Sequence, residues 1–203
     1  MVHDKPVVEP TGAGLVEHGA LLLLRGLQQE LGLDITTANF TETPKRIAKA
    51  YLEILSGVKN KDAQIKAALS KSFPSMNRGL VVQQGIKVFS LCPHHFLPVE
   101  YDVTIAYVPK NDVVGLSKLA RVAEIEARQP ILHEDFVRNV SLDLFRGLHA
   151  RGAACHAVGR HFCMAMRGVG QHGATTVSNY GIGDLDPELN PVNWREFLTY
   201  TKY

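Results

Sequence analysis

The sequence predicts an α+β fold with antiparallel strands, and three observations predict it. Val99, Tyr101, Val103, Ile105 and Tyr107 alternate with Glu100, Asp102, Thr104 and Ala106, the period of two of a half-buried strand. Ala20, Leu23, Leu24, Leu27 and Leu31 recur at helical spacing. The order along the chain is helices, strand pair, helix pair, strand pair, which suits antiparallel neighbours.

Residues 1–14 mix charge, proline and glycine and read as a flexible arm without a signal-peptide core. The first helix spans Leu15 to Leu33, with Gly32 placed to close it. In the second, Thr43 caps, Pro44 takes the first helical position and Gly57 ends the helix. Residues 59–78 suggest a short helix and a loop, and together residues 15–78 form an N-terminal helical region. Gly79 to Leu91 is β-rich, and after the alternating strand Pro109 and Asn111-Asp112 turn the chain. Ser117 to Gln129 reads as a helix stopped by Pro130, and Glu134 to His149 as another, with Val137, Val140, Leu144 and Leu148 inward. Gly152 to Met166 returns to strand, and Thr175 to Ser178 adds a last one. Residues 79–183 form a mixed region of strands and helices, the candidate catalytic region because Cys92, His94, His95, His161 and Cys163 all fall in it. Residues 184–203 form a tail at a subunit surface, whose short helix takes Asn193 and Glu196 as a capping box.

Composition excludes several classes. The chain has 203 residues, 45% apolar and 21% charged, with a net charge of +2, so no global field points to nucleic acid or a membrane. The longest apolar run, Leu21 to Leu24, falls far short of the roughly 20 residues that span a bilayer. Three cysteines, Cys92, Cys155 and Cys163, make no disulfide framework and fit a reduced cytoplasm, where thiols more often ligate metals.

The chemistry concentrates in two stretches. Leu91-Cys92-Pro93-His94-His95 lies between two predicted strands, and Cys92-x-x-His95 suits a tetrahedral zinc. Alone such a pair is ambiguous, but Arg160-His161-Phe162-Cys163 supplies a second. On a strand, His161 and Cys163 would share a face. Two thiolates and one imidazole leave a fourth position open, as catalytic zinc requires, and no further Cys-x-x-Cys or His pair supports a zinc finger. His94 and His161, the surplus histidines, suit proton transfer beside a metal-activated water. Cys155 reads as a small buried hydrophobe. Positive charge gathers at Lys45-Arg46, Ser117-Lys118, Arg121 and Arg167, partly at helix starts, where phosphate is well held.

At this point the sequence resembles the GTP cyclohydrolase I family. The likeness rests on Thr43-Pro44-x-Arg46-Ile47-Ala48, Cys92-x-His94-His95, Gly115-Leu116-Ser117-Lys118-x-x-Arg121 and His161-x-Cys163-x-x-x-Arg167-Gly168, in order between about Leu15 and Gly183. It implies the tunnelling fold (T-fold), in which strands of several subunits close one barrel with helices outside. It also implies a homodecamer of two stacked pentamers, with active sites between subunits. The reaction it implies is attack of zinc-activated water on C8 of GTP, loss of formate and rearrangement to 7,8-dihydroneopterin triphosphate. Carried over by motif, Cys92, His95 and Cys163 hold zinc, and His94 and His161 form the acid/base pair. Arg46, Ser117, Lys118, Arg121 and Arg167 hold triphosphate or ribose. Glu134, with His133 beside it, reads the guanine edge; without the resemblance, Glu134 is a first-turn glutamate serving the helix dipole.

Three departures stand out. Pro93 replaces a common glutamate, His133-Glu134-Asp135 replaces Gln-Glu-Arg, and Gly173-Ala174-Thr175-Thr176 only partly matches a hydroxyl-rich stretch. They leave two alternatives beside the cyclohydrolase: a T-fold zinc enzyme acting on another purine nucleotide or pterin, and a non-catalytic zinc-bearing homologue.

Overall fold

A computed structural model describes residues 11–201. It divides into two units, Met1–Leu55 and Ser56–Tyr203. The first holds α1 (Gly12–Leu31), a 3₁₀ turn (Ala38–Phe40) and α2 (Thr43–Ile54), with α1 packed on α2. Thr11 caps α1 by accepting from the Gly14 N–H at 3.2 Å, so the helix starts before Leu15 and takes up the end of the expected arm. Residues 1–10 of that arm lie outside the described residues. Gly32 closes α1 at φ 72°, its N–H donating to Gln28 O at 2.9 Å. Thr43 proves to be the first helical residue of α2 rather than its cap, and its hydroxyl donates to Asn39 O. The helix ends before Gly57.

The second unit carries the site. Its elements are α3 (Lys61–Ala68), β1 (Ser72–Pro74), β2 (Val81–Leu91), β3 (Pro98–Val108), β4 (Asp112–Val114), α4 (Ser117–Ala127), α5 (His133–Gly147), β5 (Gly152–His161), α6 (Phe162–Ala165), β6 (Thr176–Gly183) and α7 (Pro191–Thr199). The main sheet runs β2-β3-β5-β6, antiparallel throughout, and β1 pairs with β4 in a small separate ladder. That ladder falls partly where a loop was expected. Gly57 is needed for close approach rather than helix termination: a Cβ there would lie 2.3 Å from Ile125 O.

Helices α4 and α5 cover one face of the main sheet. Val99, Tyr101, Val103, Ile105 and Tyr107 of β3 are buried against them with Leu119, Val122, Phe136, Val140 and Leu144. Each such side chain contributes about 1.5–3 kcal/mol when fully buried. Ser141 ties α5 to β6 by donating to Tyr180 O at 3.1 Å.

The half-buried reading of β3 holds for one end only. Glu100 and Asp102 remain partly exposed, but Thr104, Ala106 and Val108 are buried as well. Ala106 and Val108 join Ala154, Leu185 and Phe197 in a second apolar cluster, with Trp194 against it. The tail therefore packs on its own sheet, a cover that the period of a single strand does not reveal. Its helix is capped by Asn190, which accepts from the Asn193 N–H, instead of by the expected Asn193–Glu196 box.

Candidate active site and metal centre

Strand register gathers the site at one end of the main sheet. Leu91 ends β2 opposite Pro98, and His161 ends β5 opposite Val99, so Cys92 and His161 flank the start of β3. The β2–β3 loop is tight: the Cys92 N–H donates to Leu97 O at 2.9 Å and the Phe96 N–H to Cys92 O at 2.8 Å. Phe96 sits at φ 53°. Pro93 occupies the second position of this turn, where its fixed φ suits the bend and its missing N–H costs nothing. Ser90 Oγ donates to Gln129 O at 2.9 Å and the Ile131 N–H to Leu91 O at 3.3 Å. These bonds sew the α4–α5 connection to the loop and bring His133 and Glu134, the first two residues of α5, beside it.

One sequence expectation is corrected here. β5 stops at His161, and Cys163 lies on the single turn α6. His161 and Cys163 therefore do not share a strand face; the turn brings Cys163 to Cys92 by another route. The ligand atoms of Cys92, His95 and Cys163 nonetheless lie within 4.8 Å of one another. Tetrahedral zinc bonds of about 2.0–2.3 Å hold donors roughly 3.3–3.8 Å apart, and Cys92 Sγ already stands 3.9 Å from His95 Nδ1. All three cysteines are free. Burial first, and the neighbouring Cys92 second, push the Cys163 thiol up, against the pull of Arg167. A thiol that resists ionisation, set beside a second cysteine and an imidazole, makes a donor set whose thiols a divalent cation would ionise, so these residues fit zinc.

A cavity of about 220 Å³ opens beside these donors, lined by Cys92, Pro93, His94, His95, His133, Glu134, His161, Cys163 and Thr176 among others. His94 is exposed, its Nδ1 3.9 Å from Cys92 Sγ. Burial holds His161 below the ordinary histidine range, against the pull of Glu134. Burial does the same to His133. His133 Nε2 lies 3.1 Å from Ala157 O, and its Nδ1 lies 3.5 Å from His161 Nε2. Glu134 is exposed at the cavity. Arg167 donates from Nη1 to His95 Nε2 at 3.1 Å.

Tyr101 is a residue sequence reasoning placed only in the core. Its ring stacks on Phe136 at 4.7 Å and leans on His133 at 4.9 Å. Its buried hydroxyl has no hydrogen-bond partner among the described residues. Burial pushes that phenol up, with Glu134 and Cys92 adding to the effect. Inward alternation on β3 marked the position but not its neighbours.

The expected phosphate residues of the second unit do not all gather here. Ser117 and Lys118 open α4, which no side chain caps, and neither lines the cavity. Arg121 borders a different cleft of about 390 Å³ with Ser56, Gln64, Glu124 and Arg128. Arg46 lies exposed on α2 of the first unit.

Comparison with known proteins agrees with the motif pattern. The sequence profile of the family described as GTP cyclohydrolase I matches residues 23–199. A protein named GTP cyclohydrolase 1 from Clostridium perfringens is 38% identical over 163 residues, covering 80% of this chain and 84% of its own length. One of the same name from Streptococcus sanguinis is 40% identical over 157 residues, covering 77% and 84%. Another, from Brucella anthropi, is 34% identical over 202 residues, covering 100% and 89%.

Proposed function

The chain belongs to the GTP cyclohydrolase I family, and from that premise we propose that it opens the imidazole ring of GTP. C8 leaves as formate and the remainder becomes 7,8-dihydroneopterin triphosphate. The observation that carries this reading is the cluster of Cys92, His95 and Cys163 in one cavity with His94, His161 and Glu134.

Cys92, His95 and Cys163 would hold zinc. When bound, zinc would supply a Lewis acid that makes water nucleophilic near neutral pH. His161, kept neutral by burial, is suited to accept a proton as water adds at C8 and to return one to a departing ring nitrogen. His94 takes the complementary role at the exposed side. Glu134 offers two coplanar acceptor oxygens to the N–H and amino donors of guanine. Pro93 stiffens the loop that carries Cys92, His94 and His95.

Among the described residues of the second unit, the lining of this cavity holds no full set of cations for a triphosphate. Arg167 is adjacent, whereas Ser117, Lys118 and Arg121 lie away from its lining. A homo-oligomer in which a second subunit presents the α4 start to the cavity supplies them, consistent with a barrel completed by several copies of the main sheet. Among the described residues no helix is long and apolar enough to cross a membrane.

The test is turnover of GTP by zinc-loaded protein, following formate and pterin fluorescence, with His161→Ala as control. Product that vanishes in the variant supports the assignment. Zinc at one per chain with no product from GTP, but product from another purine nucleotide, would overturn the substrate.

A further inference from the structure

His133 is 3% exposed, although it stands at the first position of a helix whose next two residues face solvent. Its ring is held from three sides. Tyr101 leans on it at 4.9 Å, Ala157 O stands 3.1 Å from Nε2, and Gly159 makes room for it. A Cβ at Gly159 would lie 2.9 Å from His133 Cε1 and equally close to Tyr101 Cε1.

These contacts decide where the protons are. A carbonyl oxygen only accepts, so His133 Nε2 carries the hydrogen that it gives to Ala157 O. A buried imidazole that pays heavily for charge stays neutral, so Nδ1 holds a lone pair. His161 Nε2 faces that lone pair at 3.5 Å. Two lone pairs repel, so the hydrogen between the rings sits on His161 Nε2. At 3.5 Å the contact is at the long end for a hydrogen bond.

We propose that His133 is a positioning residue that fixes His161 with its proton on Nε2, leaving Nδ1 to take and give protons in the cavity. The chain of donors then runs one way, from His161 Nε2–H to His133 Nδ1 and from His133 Nε2–H to Ala157 O. This goes beyond base reading, since both polar atoms of His133 already have protein partners. It rests on the cyclohydrolase reading only where turnover is concerned. Glutamine at this place would be chemically equivalent to this ring. Its amide carbonyl can accept where Nδ1 accepts, and its amide N–H can donate where Nε2 donates. Leucine fills similar space with neither function.

Two measurements on the zinc-loaded chain test this. The first is 15N solid-state NMR of histidine-labelled protein, with the His161 signals assigned by loss in His161→Gln. A hydrogen on His161 Nε2 in the wild type, replaced by a tautomer mixture in His133→Leu, is the expected result. A wild-type hydrogen on Nδ1 would overturn the proposal whether or not GTP is turned over. The second is steady-state kinetics at matched zinc content. In His133→Leu, kcat should fall about 10–100-fold with KM for GTP little changed, and His133→Gln should recover most of that loss. A rise in KM at constant kcat, or a glutamine variant as slow as the leucine one, overturns it in favour of a base-reading or merely space-filling role. If His133→Leu does not fold, the wild-type NMR result and the glutamine kinetics still decide. A wild type with the Nε2 hydrogen but no GTP product would sink the cyclohydrolase reading and leave this assignment standing.

Discussion

Arg167 Nη1 lies 3.1 Å from His95 Nε2, a contact the pair could not keep if His95 ligated a metal. A guanidinium only donates, so Nε2 must be the bare nitrogen and Nδ1, facing Cys92 Sγ, the protonated one. Ligation through Nδ1 needs that proton removed and puts a hydrogen on Nε2, against the arginine. Ligation through Nε2 displaces Arg167 directly. Either way the arginine would be released and so available to phosphate.

Arg167→Ala is therefore expected to tighten zinc binding while weakening GTP binding. A hydrogen bond of about 1 kcal/mol corresponds to roughly fivefold in metal affinity. Competition with a chromophoric chelator at fixed pH measures it. Unchanged or weaker zinc affinity in the variant would show that the contact does not oppose the metal.

Gly159→Ala should damage the fold and the site together. The added Cβ would press on the edges of two wedged rings, and Tyr101 is already stacked on Phe136 at 4.7 Å. Overpacking of this kind costs about 1–3 kcal/mol. Urea unfolding should show the loss, and kcat should fall as His133 moves off His161. Full stability and full activity in the alanine variant would mean the strand shifts freely, contrary to the register fixed by Val99↔His161.

The contrast between Cys92 and Cys163 shows what the sequence could tell. Cys92, His94 and His95 lie between the β-rich stretch ending at Leu91 and the alternation that begins at Val99, so their loop was legible. Cys163 falls in the stretch Gly152 to Met166, where no proline, asparagine or aspartate marks the end of the strand. Only the packing of α6 against β3 and β5 turns those residues into a helical turn. Likewise, the period of β3 predicted one buried face, and burial of Ala106 and Val108 depends on a helix more than 80 residues later in sequence. The His133–His161–Ala157 relation joins α5 to both halves of β5, a pairing that no local spacing encodes. The chemistry was readable in residue type; the hydrogen-bond partners were not.

A buried acid pair away from the site should make stability fall as pH rises. Lys61 Nζ meets Glu126 Oε1 at 2.8 Å, and Asp143 of α5 lies against Glu126, with Asp62 nearby on α3. Burial first, and the Glu126 carboxylate second, push Asp143 up to about 7 from 3.8. The folded chain thus keeps a proton that the unfolded chain loses between those values, so this group costs stability progressively from about pH 4 to 7 and fully above. Asp143→Asn removes the cost. It should stabilise the protein at pH 8 by about 1 kcal/mol, allowing for partial solvent screening, and change little at pH 4. Denaturant curves at the two pH values measure this; an equal effect at both would assign it to packing instead of charge.

The separation of His161 from Lys118 makes the oligomer testable through activity. His161 lines the 220 Å³ cavity, while Lys118 at the α4 start does not. If each site takes His161 from one subunit and Lys118 from its neighbour, His161→Ala and Lys118→Ala preparations are each inactive, or nearly so. Unfolding and refolding them together at equal amounts mixes the subunits. Random mixing in a ring with head-to-tail contacts then rebuilds about one quarter of the sites with both native residues. Recovery of activity toward that fraction would mean that neighbouring subunits share each site. No recovery, with mixed assemblies verified by native mass spectrometry, would place both residues of each site in a single chain and require a different source for the phosphate cations.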